Sequence, residues 1–306
     1  MDMMEENKRD TRWKEAVRLL PEHLRRAVPK DVYVFDTPPE ELRLRTGQPV
    51  SVLDAEGERP LETECVCAKD LQTVLDRATE FSAYRCADSI RRGYVTVRGG
   101  CRVGLCGTAV LRNGDIAAVQ ELSSVSIRIA KAVEGCAAAI YPQLWDGGRF
   151  ESTLLIAPPG GGKTTLLRDL IRLLSTGDRE HPPLRMAVAD ERGEIAAVCG
   201  GRAQFNMGPQ TDVLTGAPKA EGIMMLMRAM NPQVIAVDEI TAPEDIRAML
   251  PAANCGVSFL ATVHGADLKE IRGRALCREL LEAGVFRRCV VLERRKGKRQ
   301  YRVELC

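Results

Sequence analysis

The sequence predicts two domains: a smaller α+β domain at residues 1–148, followed by an α/β domain with a mostly parallel sheet at residues 149–306. The length of 306 residues already favours two domains, because a domain commonly contains about 150 residues. From residue 153 onward, apolar strand-like segments alternate with long helical ones, which predicts parallel strands joined by right-handed crossovers. Earlier segments mostly have the two-residue period of strands, which is typical of a separate small sheet.

Composition and charge exclude several classes of protein. The chain is 45% hydrophobic and 28% charged, so it can form a core and is not intrinsically disordered. Its 44 Lys and Arg against 42 Asp and Glu give a net charge of +2, which produces no global field for binding nucleic acid. We therefore expect no specific nucleic acid partner.

The distribution of apolar residues and cysteines predicts the compartment. The first residues alternate in charge and no long apolar run occurs, so we expect a cytoplasmic protein whose membrane contact is peripheral at most. The eleven cysteines include no CxxC pair, and in a reducing compartment we expect them to be free and to act as small apolar fillers.

The elements of the first domain follow from periodicity. Apolar residues at helical spacing predict one or two short helices over residues 11–28, interrupted at Pro21. Alternating segments then predict a small sheet, and a helix is expected around Lys69–Ala78. The predicted strands are VYVF, LRLR and PVSVL, and then YVTVRGGCRVGLCGTAVL, broken at Gly99-Gly100, and VSIRIA after the turn Asn113-Gly114.

The second domain is predicted to begin after the segment YPQLWDGGR, where Pro, Asp and two glycines mark a boundary. Its predicted strands are TLLIA, MAVAD, VIAVDEI and SFLATVH, and its predicted helices are TTLLRDLIRLL, AEGIMMLMRAM and PEDIRAMLPAA. A basic segment at residues 287–302 has eight Lys or Arg against one Glu, and Lys296-Gly297-Lys298 predicts a hairpin turn there. This hairpin is either simply solvated or binds an anionic partner.

The segment APPGGGKTT, between a predicted strand and a predicted helix, matches a phosphate-binding loop, although Ala157 stands where the pattern has its first glycine. Successive glycines let backbone N–H groups surround a β-phosphate at the positive end of the helix. Lys163 would neutralise the β and γ oxygens, and the Thr164 hydroxyl would bind Mg²⁺. The alternative is a glycine-rich turn that binds nothing. The predicted nucleotide-binding residues are Pro159, Gly160, Gly161, Gly162, Lys163, Thr164 and Thr165, with ATP and Mg²⁺ as cofactors.

A second half of a nucleotide site is predicted at the end of the strand VIAVDEI. Asp238 would help to hold Mg²⁺, and Glu239 would polarise the attacking water. Acidic residues also end many strands because strands end at the surface, so this assignment depends on the phosphate loop. Binding alone does not need Glu239, which favours hydrolysis over a nucleotide-binding scaffold with little turnover.

Several further segments resemble a known family. These segments are DERGEIA, TDVLTGAPKAEGIMMLMRAMNPQVIAVDEI and ATVHGAD in the second half, and EELRLRTGQPV, RRGYVTVRGGCRVGLCGTAVL and SSVSIRIA in the first. They resemble the stage III sporulation protein AA family, which belongs to the secretion and pilus ATPases of the RecA/AAA superfamily.

The resemblance implies a RecA-like P-loop ATPase domain and a ring, a homo-oligomer that is normally a hexamer. It further implies Mg-dependent ATP hydrolysis that energises a membrane-embedded channel complex of sporulation, at the inner face of the mother-cell membrane. The alternative is a nucleic-acid-dependent RecA-like ATPase. Apart from Tyr301, the basic segment has no aromatic residues for stacking on single strands, so that alternative is poorly supported.

The resemblance also assigns roles to residues. Asp190, Glu191 and Glu194 correspond to the acidic box of secretion ATPases, where a carboxylate orients water or Mg²⁺. Alternatively, they form a solvated ion-pair cluster with Arg192, which contributes little. His264 corresponds to a histidine that senses the γ-phosphate, whereas a lone His at a strand end is more often a capped surface residue.

Two arginines of the first domain are candidates for a finger that reaches the nucleotide of a neighbouring subunit. Arg102 lies beside the glycine pair and Arg128 lies in SIRIA. Strand arginines are more often only solvated, so the assignment depends on the resemblance. The predicted catalytic set is therefore Glu239, Glu191, Glu194, His264 and either Arg102 or Arg128.

Overall fold

A computed structural model describes residues 3–80, 90–91, 93–295 and 298–306. The chain divides into two compact units. Unit 1 contains Met1–Ala132 and Ala197–Gln204, and unit 2 contains Val133–Ala196 and Phe205–Cys306. Among the described residues, no helix combines the length and the apolar composition needed to cross a membrane.

Unit 1 contains a six-stranded sheet in the order β3-β2-β1-β6-β5-β4, and every pair of neighbouring strands is antiparallel. Trp13 of the first helix, Leu24 of the second and Leu20 between them are fully buried together with Leu42 and Ile127 of the sheet. The elements are α1 (Met3–Arg18), α2 (Glu22–Ala27), β1 (Glu41–Arg45), β2 (Pro49–Asp54), β3 (Gly57–Cys65), α3 (Ala68–Ala78), β4 (Tyr94–Thr96), β5 (Arg102–Arg112) and β6 (Asp115–Arg128).

The two helices before Pro29, the break between β4 and β5 at the glycine pair, and the β5–β6 hairpin agree with the sequence prediction. The segment VYVF does not form the predicted strand. Val32–Val34 form a 3-10 turn, because the Asp31 side chain accepts a hydrogen bond from N of Tyr33 at 2.9 Å. Tyr33 and Val34 then point to solvent, where a paired strand of this sheet would bury alternate side chains.

Unit 2 contains a seven-stranded sheet in the order β11-β10-β12-β13-β9-β14-β15, in which β15 alone is antiparallel to its neighbour. Its helices are α4 (Lys163–Thr176), α5 (Lys219–Met230), α6 (Pro243–Asn254), α7 (Leu268–Gly273) and α8 (Ala275–Glu282). Its strands are β7 (Trp145–Asp146), β8 (Arg149–Phe150), β9 (Thr153–Ala157), β10 (Met186–Asp190), β11 (Thr211–Thr215), β12 (Val234–Val237), β13 (Ser258–His264), β14 (Arg288–Arg295) and β15 (Lys298–Leu305).

The predicted alternation of strands and helices is confirmed in this unit, and strands β9, β10 and β12 are buried throughout. Strand β11 was not predicted, because it lies at the sheet edge and none of its residues is buried. The predicted hairpin at residues 287–302 is present as β14–β15, whereas residues 296–297 of its turn lie outside the described residues.

Unit 2 begins before the predicted boundary at residues 148–149. The preceding segment packs on this unit because the rings of Tyr141 and Trp145 contact the ring of His181, with centroids 5.2 and 4.6 Å away. N of Ala137 also donates a hydrogen bond to Asp169 of α4 at 2.8 Å. The Pro- and Gly-rich segment forms a small β7–β8 hairpin inside unit 2, which begins at Val133.

One pair of cysteines differs from the expectation of free thiols. Cys289 of β14 and Cys306 form a disulfide, and the hairpin brings their Cα atoms to 5.9 Å, within bridging distance. Their separation of 17 residues in sequence gave no signal of this proximity. The structure also describes seven cysteines with free thiols, namely Cys65, Cys67, Cys101, Cys106, Cys136, Cys255 and Cys277.

Candidate active site

The parallel sheet of unit 2 brings the predicted site residues of this unit to one edge. Strands β10, β12, β13 and β9 are consecutive neighbours, and the segments that follow them leave the sheet at its carboxyl end. Such an edge is where open α/β sheets bind ligands. Asp190 ends β10, Asp238 follows β12, His264 ends β13, and the phosphate loop follows β9.

The phosphate loop has the backbone geometry that its glycines permit. Gly160 has φ +70° and Gly162 has φ +97°, both in the region that side chains disfavour. Because Gly162 is the N-cap of α4 and has no side chain to cap the helix, first-turn N–H groups remain available to an anion. Pro159 is exposed in the loop, and Thr165 lies in the first turn of α4.

Ala157, the departure from the usual motif, is the last residue of β9 and not part of the loop that bends. Its carbonyl oxygen accepts hydrogen bonds from Nζ of Lys163 at 3.0 Å and from N of Gly265 at 3.2 Å. A Cβ on Gly161 would lie 2.8 Å from Cβ of Ala157, so the close approach that needs a glycine occurs at Gly161. An extended strand residue needs no glycine, which explains why alanine fits here.

Lys163 is buried, with 7% of its surface exposed, at the start of α4. Burial lowers the pKa of its ammonium group, while the charges of Asp238 and Glu239 oppose that decrease. Nζ lies 2.7 Å from Nδ1 of His264. An ammonium group can only donate, so Nδ1 accepts this hydrogen bond and the neutral ring carries its proton on Nε2.

Two hydroxyl groups hold the carboxylate of Asp238. Oγ1 of Thr164 donates to Oδ2 at 2.8 Å, and Oγ1 of Thr262 donates to Oδ1 at 2.5 Å. Oγ1 of Thr262 also accepts a hydrogen bond from N of Glu239 at 2.8 Å. Sequence reasoning missed Thr262, although its position two residues before His264 places both on the same face of β13.

Glu239 has φ +51°, an unusual conformation that directs the chain away from β12. Oε1 lies 2.8 Å from Nε2 of His264, and Oε2 lies 3.4 Å from Nη1 of Arg192. Arg192 thus pairs with Glu239, which is not one of the three acidic-box residues, so the ion-pair alternative for that box stays a prediction. A continuous chain of hydrogen bonds also connects Lys163, His264 and Glu239.

Asp190 organises the loop that follows β10. Its carboxylate, with the residue only 2% exposed, accepts hydrogen bonds from N of Glu194 (2.8 Å), Ile195 (3.1 Å) and Ala196 (2.9 Å). Burial raises the pKa of this carboxyl group, the three N–H groups oppose the rise, and the nearby Asp238 adds to it. All three acceptor contacts are with backbone of the same loop, so Asp190 holds the acidic box in shape.

Glu191 and Glu194 line one cavity together with Asp238, Glu239 and Lys219. Lys219 is buried, and sequence reasoning missed it. Its Nζ donates to the carbonyl oxygen of Glu239 at 2.6 Å and to Oδ2 of Asp245 at 3.4 Å, and it lies 3.9 Å from Oε2 of Glu191. This ammonium group fixes the backbone at the position where Glu239 turns out of the sheet.

The arginine candidates lie in unit 1. Arg102 on β5 and Arg128 on β6 are directly opposite each other in the antiparallel register. The guanidinium carbon of Arg102 lies 4.4 Å from the centre of the Tyr94 ring, and Nε of Arg128 lies 3.0 Å from Oε1 of Glu41. The finger assignment thus concerns one cross-strand pair, and it stays a prediction.

Comparison with known structures defines the class of the fold. The X-ray structure of the ATPase DotB from Legionella pneumophila matches with a TM-score of 0.55 at 17% identity, covering 87% of this chain and 75% of DotB. The crystal structure of the pilus retraction motor PilT with bound ADP matches with a TM-score of 0.58 at 15% identity, covering 90% of this chain and 80% of PilT. Unit 2 with its mostly parallel sheet and unit 1 with its antiparallel sheet thus give the chain the fold of secretion and pilus ATPases.

Sequence comparison identifies the family within this class. The family model described as Sporulation stage III, protein AA matches residues 10–303. The stage III sporulation protein AA of Bacillus subtilis (strain 168) is 38% identical over 286 residues, which is 92% of this chain and 92% of that protein. The chain belongs to the sporulation stage III protein AA family, as its sequence segments predicted.

Proposed function

We propose that unit 2 binds Mg-ATP and hydrolyses it, and that the protein is a ring-forming secretion-type motor ATPase. The observation that carries this proposal is the contact between the phosphate loop and the acidic strand end. The hydroxyl of Thr164 lies 2.8 Å from Asp238, and Lys163 connects through His264 to Glu239. A glycine-rich turn that binds nothing would not need these connections to the carboxylates of Asp238 and Glu239.

Binding of the phosphates follows from the loop and the helix. The N–H groups of the first turn of α4 and the positive end of the helix attract the β-phosphate. Nζ of Lys163 donates hydrogen bonds to the backbone oxygens of Ala157 and Pro158 and to His264. Phosphate oxygens would replace these partners and compensate the buried ammonium charge better than neutral carbonyl groups do.

The oxygen atoms of Thr164 and Asp238 fit Mg²⁺, a hard cation that binds one or two carboxylate oxygens together with substrate phosphates. When bound, the ion would neutralise charge on the β- and γ-phosphate oxygens. Thr262 holds the other oxygen of Asp238, so the carboxylate is fixed in orientation before any ion arrives.

Hydrolysis requires a base near the terminal phosphate, and Glu239 would serve. It accepts a proton from the attacking water while the bond between the γ-phosphorus and the β–γ bridging oxygen breaks. The ring of His264 and the guanidinium of Arg192 hold the two carboxylate oxygens of Glu239. Glu191 and Glu194 line the same cavity and would orient that water.

The wider role extends this chemistry to an assembly. The proposal is a homo-oligomeric ring, a hexamer, in which Arg102 or Arg128 of one subunit acts on the nucleotide of the next. The ring would energise membrane-embedded channel proteins of the sporulation complex from the cytoplasmic side of the mother-cell membrane. The fold of secretion and pilus ATPases and the membership of a sporulation family support this role.

Binding and turnover of ATP measured on the same variants test the proposal. Lys163→Ala is expected to lose ATP affinity by about 100-fold or more, because the lysine contacts ground-state phosphate charge. Glu239→Gln is expected to bind ATP within about threefold of the unmodified protein and to lose turnover by at least about 100-fold. The matched controls Lys269→Ala on α7 and Glu244→Gln on α6 change exposed residues and should retain both properties.

Three outcomes would contradict the proposal. Equal loss of ATP binding in Lys163→Ala and Glu239→Gln would remove the division of roles between them. Binding without any phosphate release would favour a nucleotide-binding scaffold. Turnover that appears only with added DNA or RNA would favour a nucleic-acid-dependent ATPase.

A further inference from the structure

A cationic side chain from the β14–β15 hairpin lies against the phosphate loop. A Cβ placed on Gly162 would be 2.8 Å from Cζ of Arg299 and 3.1 Å from its Nε and Nη2. The guanidinium group therefore lies directly beside the last glycine of the loop. Arg299 belongs to β15, which is joined through β14 to β9, the strand that leads into the loop.

The described part of the chain offers this guanidinium no anionic partner. Among the described residues, no carboxylate lies within ion-pair distance of Arg299 and no hydrogen bond from its side chain is formed. Asp169 of α4 is near enough to help raise the pKa of Tyr301, two residues along β15 from Arg299. However, Asp169 already accepts hydrogen bonds from Nε and Nη2 of Arg172 at 2.9 and 2.7 Å. It also accepts a hydrogen bond from N of Ala137. Within the residues that the structure describes, the charge of Arg299 is therefore not balanced by a carboxylate.

The position of Arg299 is electrostatically unfavourable unless an anion binds there. Gly162 is the N-cap of α4, and the N-terminus of a helix carries partial positive charge. An unpaired guanidinium beside this positive end gains nothing from the protein itself. A phosphate between the guanidinium and the N–H groups of the helix would interact favourably with both, through charge-assisted hydrogen bonds.

The order of strands indicates which phosphate this is. On one side of β9 lies β13, which carries His264, and beyond it lies β12, which leads into Asp238 and Glu239. These are the groups assigned to the terminal phosphate. On the other side of β9 lie β14 and β15 with Arg299. A nucleotide whose γ-phosphate faces Glu239 therefore extends its α-phosphate and nucleoside toward β15.

We propose that Arg299 binds the α-phosphate side of the nucleotide within the same subunit and so contributes to the affinity for ADP and ATP alike. This inference rests on the proposed function of unit 2 as a nucleotide site. It gives the basic hairpin a role in the site of its own chain. It also separates Arg299 from an arginine that senses the γ-phosphate, which would distinguish ATP from ADP.

Equilibrium titrations of the full-length protein with Mg-ADP and with a non-hydrolysable Mg-ATP analogue test the inference. Arg299→Ala is expected to raise both dissociation constants by about tenfold, with their ratio unchanged within twofold. Arg299→Lys keeps the charge but loses the planar guanidinium. Its dissociation constants should therefore lie between those of the unmodified protein and those of Arg299→Ala. Arg299 is exposed, so circular dichroism should show an intact fold in both variants.

A control on the same strand makes the comparison specific. Arg302 lies three residues away, on the opposite face of β15, where it pairs with Glu293 at 3.4 Å and Glu304 at 3.0 Å. Arg302→Ala removes the same charge and should leave both dissociation constants within twofold. Equal weakening in Arg302→Ala and Arg299→Ala would indicate a general charge effect and overturn the inference.

The remaining outcomes also decide. If Arg299→Ala binds both nucleotides like the unmodified protein, Arg299 is no binding residue. If it weakens only the ATP analogue, Arg299 contacts the γ-phosphate and the assignment to the α-phosphate is wrong. If Lys163→Ala weakens ADP binding while Arg299→Ala does not, the inference about Arg299 is wrong but the proposed nucleotide site of unit 2 still stands. If the unmodified protein binds neither nucleotide, the proposed function fails with it.

Discussion

Nε2 of His264 lies 2.8 Å from Oε1 of Glu239. Nδ1 of the same ring accepts a hydrogen bond from Lys163, so the ring is held in one tautomer and donates its only N–H to the carboxylate. The residue that would bind phosphate charge and the residue that would activate water are thus connected through one imidazole. If a bound phosphate replaces His264 as a partner of Nζ of Lys163, Nδ1 is released, and the ring could then form a different hydrogen bond when the ligand binds.

His264→Ala is expected to slow ATP turnover by about 10- to 100-fold while changing ATP affinity by less than about threefold, because the loop and Lys163 remain while Glu239 loses its donor. Steady-state phosphate release and equilibrium ATP titration measure the two quantities. His23→Ala in unit 1 is the matched control and should change neither. A loss of affinity as large as the loss of turnover would show that His264 supports the phosphate loop and not Glu239.

Lys219→Met is expected to destabilise the protein by about 3 kcal/mol, because Asp245 would remain buried without its cation. Two backbone N–H groups, of Thr241 and Ala242, still bind Asp245, which limits the loss. Denaturant unfolding of the transition assigned to unit 2 gives the free energy. Lys269→Met on α7 replaces an exposed lysine and should change it by less than about 0.5 kcal/mol.

The double variant Lys219→Met with Asp245→Asn extends this test. Removing both charges should recover part of the stability lost in the single variant. If the double variant is less stable than Lys219→Met by the full effect of Asp245→Asn alone, the two residues do not interact and the argument is wrong.

How much of this site was predictable depends on where each signal lies in the sequence. The phosphate loop and Asp238-Glu239 were predictable because each is contiguous and directly follows an apolar strand. Thr262 and Lys219 were not, because single polar residues show their role only when the sheet places β13 and α5 beside β12. The turn at Val32–Val34 was mistaken for a strand because β-branched and aromatic residues are typical of strands, and only the Asp31 cap distinguishes the two.

The pairing of Arg102 with Arg128 across β5 and β6 sharpens the prediction of a finger. Either arginine replaced by Ala should leave ATP binding normal and lower hydrolysis by about 10³-fold if that residue acts on the neighbouring subunit. Mixing this variant with Glu239→Gln should restore part of the activity, because some interfaces then combine an intact base with an intact arginine.

Phosphate release measured across a series of mixing ratios checks the complementation. Arg112→Ala on β5 is a control from the same strand and should retain full activity on its own. Mixtures that never exceed the sum of the two variants at any ratio would exclude action between subunits and with it the ring mechanism.

Glu58 gives unit 1 a defined acid sensitivity. Hydrogen bonds from Arg45 and from Oγ of Ser51, the latter at 2.6 Å, lower the pKa of Glu58 to about 2. Because this pKa lies below its ordinary value of 4.5, the ionised Glu58 stabilises the folded unit 1. This contribution to the free energy of unfolding is fully present above pH 4.5 and is lost as the pH falls through about 2. The pair is partly exposed to solvent, so the contribution is at most about 1 kcal/mol.

Glu58→Gln should therefore lower the free energy of unfolding of unit 1 at pH 7, with the difference from the unmodified protein shrinking as the pH is lowered from 4.5 to about 2. Denaturant unfolding at a series of pH values measures this difference. Glu62→Gln on the same strand is the control. A difference that is independent of pH would show that the Glu58 carboxylate does not contribute through its charge.

Unit 2 is not one continuous stretch of sequence. Residues 197–204 fold with unit 1, where Oε1 of Gln204 accepts a hydrogen bond from N of Gly99 at 2.9 Å. A protein fragment that starts at Val133 therefore contains residues 197–204 but lacks the rest of unit 1, on which they pack. These residues directly follow the loop that hydrogen bonds to Asp190 hold in place. A protease that cuts once at residues 132–133 divides the chain into two pieces, and residues 197–204 of the second piece still belong to unit 1, so only non-covalent contacts hold the first piece to them.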